Sequence, residues 1–219
     1  MLRKSLIGLG IASLLSSPLA LADARVSVAH FAPFAEDIAD TSVSVALNGT
    51  VAVENVVDSI PTGSVTPAIT KTFTLEDGMD YTVYASGNIT LQPLELVALV
   101  DDNTAPAMGN VKVRVVHAAP FGPTAESTEV SIRTAGGDLV AGLQGIPYGV
   151  SSPYLELPAD TYDLKVASNN GQVNYIDPLP VPLASGTIAT LFAVGDIITQ
   201  DLSIIATPIA ELPLRDAVN

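Results

Sequence analysis

Two nine-residue stretches, VSVAHFAPF at 26–34 and VRVVHAAPF at 113–121, hold the only histidines of the chain, His30 and His117. Each histidine closes a run of alternating valines and is followed at the same spacing by a proline and a phenylalanine. A chain that writes the same strand-and-stop device twice, 87 residues apart, is constrained to repeat whatever that strand belongs to. Other matches keep the order. Thr41-Ser-Val-Ser-Val parallels Thr128-Glu-Val-Ser-Ile, and Ile60-Pro-Thr-Gly parallels Ile146-Pro-Tyr-Gly. Tyr81-Thr-Val parallels Tyr162-Asp-Leu, and Leu96-Val-Ala-Leu-Val parallels Thr190-Leu-Phe-Ala-Val. A repeat of this length indicates a duplicated domain, with the drift in offset taken up by loops.

Within each copy the hydrophobic period is two. Val26 and Val28, Val43 to Leu47, Phe73 and Leu75, Val111 to Val115, and Tyr162 to Val166 each alternate with polar or small residues. Asn48-Gly49, Ser86-Gly87-Asn88, Gly136-Gly137 and Asn169-Asn170-Gly171 supply turns between them. This patterning specifies half-buried strands and no amphipathic helix. The expected architecture is all-β: two tandem immunoglobulin-like or transthyretin-like β-sandwiches, at 23–101 and 111–219 with its C-terminal tail, joined by a polar linker at 102–110. Asn88-Ile-Thr and Asn48-Gly-Thr spell glycosylation sequons but are read as turns.

Residues 1–22 read as a cleaved signal peptide. Arg3 and Lys4 precede an apolar core, and Ala20-Leu21-Ala22 fits a small-x-small cleavage site. A membrane span is the rival reading, weakened by Gly8, Gly10, Ser13, Ser16, Ser17 and Pro18. The mature chain is expected to be exported to the bacterial periplasm or beyond, with no membrane insertion after cleavage. All 23 acidic residues lie past residue 22, so losing Arg3 and Lys4 moves the formal charge from −14 to −16. That charge excludes nucleic acid as a partner, because phosphates require a basic surface. No cysteine is present, which removes disulfides, thiol nucleophiles and thiolate metal sites together.

On the alternation, His30 and His117 share a face with the valines before them and point into the sandwich interior. Pro33 and Pro120 then end the strand, since proline cannot donate to a ladder. The four residues form a structural repeat signature. Catalysis would need a serine or cysteine beside the histidine and a third group to orient it, and no G-x-S-x-G elbow exists. One histidine per copy falls short of a metal set. No catalytic, cofactor-binding or metal-ligating residue is assigned, and no cofactor is expected.

The stretches V-R-V-V-H-A-A-P, E-V-S-I and I-P-Y-G-V-S-S-P-Y-L-E-L-P-A-D-T-Y-D-L-K-V resemble the secreted bacterial domain-of-unknown-function family 4397. The resemblance is clearer over 111–206 than over 25–101. It implies exported sandwiches, often in tandem, and no reaction. Both copies have phenylalanine, Phe34 and Phe121, where the family pattern has an acidic residue.

Two functional expectations remain. The first is a non-enzymatic structural or interaction module of the cell envelope or extracellular matrix, meeting a protein, a cell-surface partner or its own copy through surface or strand-edge contacts. Its strand edges carry few guarding lysines: Lys71, Lys112 and Lys165. The alternative is a ligand-binding module, taking a glycan on Tyr148, Tyr154 and Tyr175 or calcium at Glu36-Asp37-x-x-Asp40, Asp77-x-x-Asp80 or Asp101-Asp102.

Overall fold

The computed structural model describes residues 25–32, 45–47, 50–53, 69, 71–76, 78–198, 200–207 and 210–211. The expected leader at 1–22, Pro33, Phe34, the acidic run 36–40, Asn48-Gly49 and the motif 60–63 lie outside them. The described chain is all-β, and its one helical element is a short 3-10 turn at Glu126–Thr128. The strands of the first half are β1 (Arg25–His30), β2 (Val45–Leu47), β3 (Thr50–Val53), β4 (Asp80–Ser86) and β5 (Glu95–Asp101). Next come β6 (Asn110–His117), β7 (Val130–Thr134), β8 (Leu155–Pro158), β9 (Asp160–Tyr162) and β10 (Leu164–Ser168). The chain ends in β11 (Asn174–Ile176), β12 (Val181–Leu183), β13 (Ile188–Val194), β14 (Ser203–Thr207) and β15 (Ala210–Glu211).

Two sheets organise the molecule. One has the order β1-β4-β5, and the other β15-β14-β13-β6-β8. The histidine strands make the same pairing in each, although β6 also carries β8 on its other side. β1 runs parallel to β4, which turns back antiparallel as β5; β6 runs parallel to β13, which turns back antiparallel as β14. The registers also agree, His30 facing Ala85 and His117 facing Ala193. The residue after each histidine makes the same bond, Phe31 N–H to the Ala85 carbonyl and Ala118 N–H to the Ala193 carbonyl, both at 2.8 Å.

This ladder changes two of the sequence matches. Tyr81 lies on the strand parallel to β1, whereas Tyr162 lies on β9, which pairs only with β12. The counterpart of β4 is β13 and that of β5 is β14, so Leu96–Val100 on β5 does not correspond to Thr190–Val194 on β13. Shared tyrosines had drawn the match to the wrong strand. The run 162–166 is likewise split at Asp163, whose carbonyl takes the Ala135 N–H and separates β9 from β10. Residues 71–76 keep an alternating burial but form no ladder.

The buried apolar residues fall in three clusters, the smallest of them Val26, Val28 and Tyr81 on β1 and β4. Val115, Val130, Ile132, Leu143, Ile146, Val166, Ile176, Ala193 and Ile204 fill the space between β6–β13–β14 and the small sheet β11-β10-β7. A second core belongs to both halves of the chain: Ala29, Phe31 and Tyr84 pack against Val116, Ala118, Phe192, Val194 and Ile205. β6 therefore has no solvent face. Alternation alone places Lys112 and Arg114 on an outer face, yet they are 7% and 3% exposed.

Candidate functional site

His117 ends β6 fully buried. Its Nε2 lies 2.7 Å from the Thr128 carbonyl oxygen, so the neutral ring donates there, while Nδ1 accepts the Ala119 N–H at 3.4 Å. The His117 backbone is stitched to the Ile146-Pro147-Tyr148-Gly149 turn, its N–H donating to Val150 and its carbonyl accepting from Gly149. Phe121 and Tyr148 flank the ring, with centroids 5.5 and 6.1 Å away. Both ring nitrogens are thus committed to the loop that leaves the strand. Pro120 is fully buried beside it. His30 is buried in the corresponding place on β1.

Burial pushes the His117 pKa down to about 4, against the opposing effect of the Thr128 hydrogen bond. The unfolded ring, near 6.5, takes a proton first as the pH falls. Stability from the neutral buried ring is therefore complete above about pH 6.5 and is lost toward pH 4, by roughly 3 kcal/mol across the window. Asp102 titrates lower, at about 2, held down first by the Thr104 hydroxyl and then by Lys112. We expect the melting temperature to fall between pH 6.5 and 4 and that slope to flatten in His117→Gln. A slope unchanged by the substitution would assign the acid sensitivity elsewhere.

The second face of β6 carries the charge. The Arg114 guanidinium meets Asp101 Oδ1 at 2.6 Å, the Val100 carbonyl at 2.9 Å and Thr190 Oγ1 at 2.9 and 3.1 Å. Tyr154 lies over it, 4.7 Å from the ring centroid. Thr82 donates to the other Asp101 oxygen at 2.7 Å. Lys112 Nζ is held by Asp102 Oδ2 at 2.9 Å and by both oxygens of Thr104. The expected linker is thereby bound to the sheet it precedes, and the Ala107 N–H adds a bond to Glu156. Asp101 and Asp102, one of the sequence candidates for calcium, are neutralised by cations of their own chain.

Those same contacts revise the lysine count at the strand edges. Lys112 is buried on a central strand and Lys165 sits on β10, between β7 and β11. Two carbonyls of the edge strand β5 are nevertheless taken by cations, that of Leu96 by Lys71 Nζ at 2.8 Å and that of Val100 by Arg114. The three tyrosines considered for sugar stacking fall in three settings. Tyr148 is buried with its hydroxyl on Ser86, Tyr154 covers Arg114, and Tyr175 packs on Phe121 with centroids 4.8 Å apart.

One feature escaped the sequence reading. Gly87-Asn88-Ile89 to Leu94 joins β4 to β5, and Gly195-Asp196-Ile197 to Leu202 joins β13 to β14. Both carry Gly-Asn/Asp-Ile-x-x-Gln-x-Leu, 108 residues apart. In each, the Gln carbonyl accepts the N–H of the Asn or Asp and of the Ile, at 2.9–3.2 Å. Asn88 Oδ1 takes the N–H of Leu91 and Gln92, and Asp196 Oδ1 takes those of Ile198 and Gln200. Gly87 and Gly195 have φ of 105° and 94°, and a Cβ on either would collide with the carbonyl of residue 93 or 201. Ile89 and Ile197 also have positive φ, 64° and 58°. For β-branched residues this is a strained conformation costing about 1–3 kcal/mol each. Asn88 Nδ2 donates to Asp196 Oδ2 at 3.1 Å, which fixes the two turns side by side. Tyr84 and Phe192, again 108 apart, also meet each other, with centroids 5.5 Å apart.

Residues 46–128 match the family model DUF4397, a domain of unknown function. The matched span runs from β2 across the 102–109 connection and ends before β7, so it straddles the boundary expected between two copies. A solved structure of the C-terminal domain of AlgF from P. aeruginosa is 18% identical, covers 49% of this chain and 98% of that chain, and has a TM-score of 0.32. No curated protein matches. Among the described residues no helix is long and apolar enough to cross a membrane, and no group of three or more histidine, aspartate or glutamate side chains is arranged to hold a metal.

Proposed function

We propose that the chain is an exported, non-enzymatic interaction module of the cell envelope or extracellular matrix, built from two copies of one immunoglobulin-like or transthyretin-like β unit. The observation that carries this reading is that the groups best suited to chemistry are spent on the fold. Both nitrogens of His117 hold a loop, and Arg114, Lys112, Asp101 and Asp102 hold each other. The common register of the two histidine strands supports the duplication. The alternative, a glycan or calcium module, loses support because Tyr148, Tyr154 and Tyr175 form no shared platform and Asp101 and Asp102 are already paired. Surface contact is favoured over pairing at β5, whose Leu96 and Val100 carbonyls are occupied by Lys71 and Arg114.

The test combines export with native composition. Intact mass of the exported protein is expected to show a chain starting at Asp23, and native mass spectrometry to show no tightly held small molecule. A mature chain retaining Leu6 to Leu15 removes the export reading. A small molecule that co-purifies in stoichiometric amount replaces the interaction module with a ligand-binding one.

A further inference from the structure

The twin turns put their least soluble residues outward. Ile89 and Ile197 are each 62% exposed, and Ile198 is 58% exposed. A scattered surface isoleucine needs no explanation, but these occupy corresponding places, in strained backbone, on turns held together by the Asn88–Asp196 bond. Asparagine or glycine would adopt the same φ at lower cost. Strain kept at an exposed apolar residue, with rigid bracing beneath it, is the arrangement of a preorganised anchor.

Charge and area narrow the occupant. Neither turn contains a lysine or arginine, Asp201 is exposed beside them, and the chain carries −14 overall. An anionic lipid surface is repelled by that balance. A second copy is disfavoured too: it brings the same charge, and three isoleucines set tip to tip bury far less than the ~800 Å² per partner of a stable protein pair. A concave partner recovers more area by closing around the tip. We propose that the paired turns at 87–94 and 195–198 form a docking tip that inserts Ile89, Ile197 and Ile198 into an apolar cleft of another protein, one whose rim is basic. This rests on the interaction-module reading and deepens it by naming the surface and the chemistry of the partner.

The experiment places a photo-crosslinking residue at 89, at 197 or at Met108, an exposed residue at the 102–109 connection, in the full chain expressed in its own cells. The same protein is expected at 89 and 197 and not at 108. That protein, purified, should bind the mature chain at least tenfold more weakly when Ile89→Asn and Ile197→Asn are combined, and more weakly in high salt as the basic rim is screened. The double variant should melt at or above the parent temperature because it relieves strain, so lost binding cannot be attributed to unfolding. Crosslinks from 89 and 197 to the chain itself, co-sedimentation with phosphatidylcholine or phosphatidylglycerol vesicles that needs the isoleucines, or binding unaffected by the double variant would each overturn the proposal. Capture through Met108 alone overturns the tip and leaves the interaction module standing; no capture at any of the three positions removes both.

Discussion

Phe192→Ala is expected to destabilise the whole chain by about 3–5 kcal/mol. Phe192 is fully buried between the sheets, with Phe31 4.9 Å and Tyr84 5.5 Å from its ring centroid. Truncation removes the ring from a core to which Ala29, Phe31, Tyr84, Val116, Ala118, Val194 and Ile205 contribute from both halves of the chain. Phe31, whose N–H is bonded to Ala85, and Tyr84, on the central strand β4, are held by their backbones and cannot move in to fill the gap. Because that core belongs to both halves, urea denaturation should show one transition shifted as a unit, with Phe192→Leu costing less. A second transition, unmoved by the substitution, would mean that the halves unfold independently.

Arg114→Met is the other large effect. It leaves the Asp101 carboxylate, mostly enclosed, with only the Thr82 hydroxyl and without its cation. Breaking a buried pair from one side costs about 3–5 kcal/mol, whereas replacing both partners by apolar groups of similar size is often neutral. Arg114→Met combined with Asp101→Leu is therefore expected to recover most of the loss, giving a coupling of a few kcal/mol in the double-mutant cycle. Additive single losses would show that Arg114 acts by packing against Tyr154 and Thr190 rather than by charge. The pair also ties β5 to β6, so the single variant should speed proteolysis in the 102–109 connection ahead of the rest of the chain.

What sequence could disclose here followed the range of the interaction. The inward set Val111, Val113, Val115 and His117 was legible because a strand's period is local, and the structure buries all four. Lys112 and Arg114 were misplaced because their cover comes from other elements: Thr190 lies 76 residues away, Asp101 closes β5, and Asp102 comes from the connection read as a linker. Alternation reports which residues share a face, but not whether another sheet closes over it. The candidate tip was in plain view as Gly-x-Ile-x-x-Gln-x-Leu written twice. It went unread because the tyrosines at 81 and 162 suggested a different correspondence, and only the parallel pairing of β1 with β4 and of β6 with β13 corrects it. Positive φ at Ile89 and Ile197 has no sequence signal, since isoleucine is among the residues least expected there.

The bond between Asn88 and Asp196 shows what one covalent chain permits that a pair of identical chains does not. Twofold symmetry forces each residue on the axis to meet itself. Two aspartates at 3.1 Å would share one charge at best, and two asparagines, each with its oxygen bracing its own turn, would lack the second oxygen that accepts the amide. With both turns on one polypeptide, each side of the axis is free to carry its own residue, so an amide donates to a carboxylate. Tyr84 and Phe192 differ in the same way, giving the centre of the molecule a handedness of composition that a self-paired dimer cannot acquire.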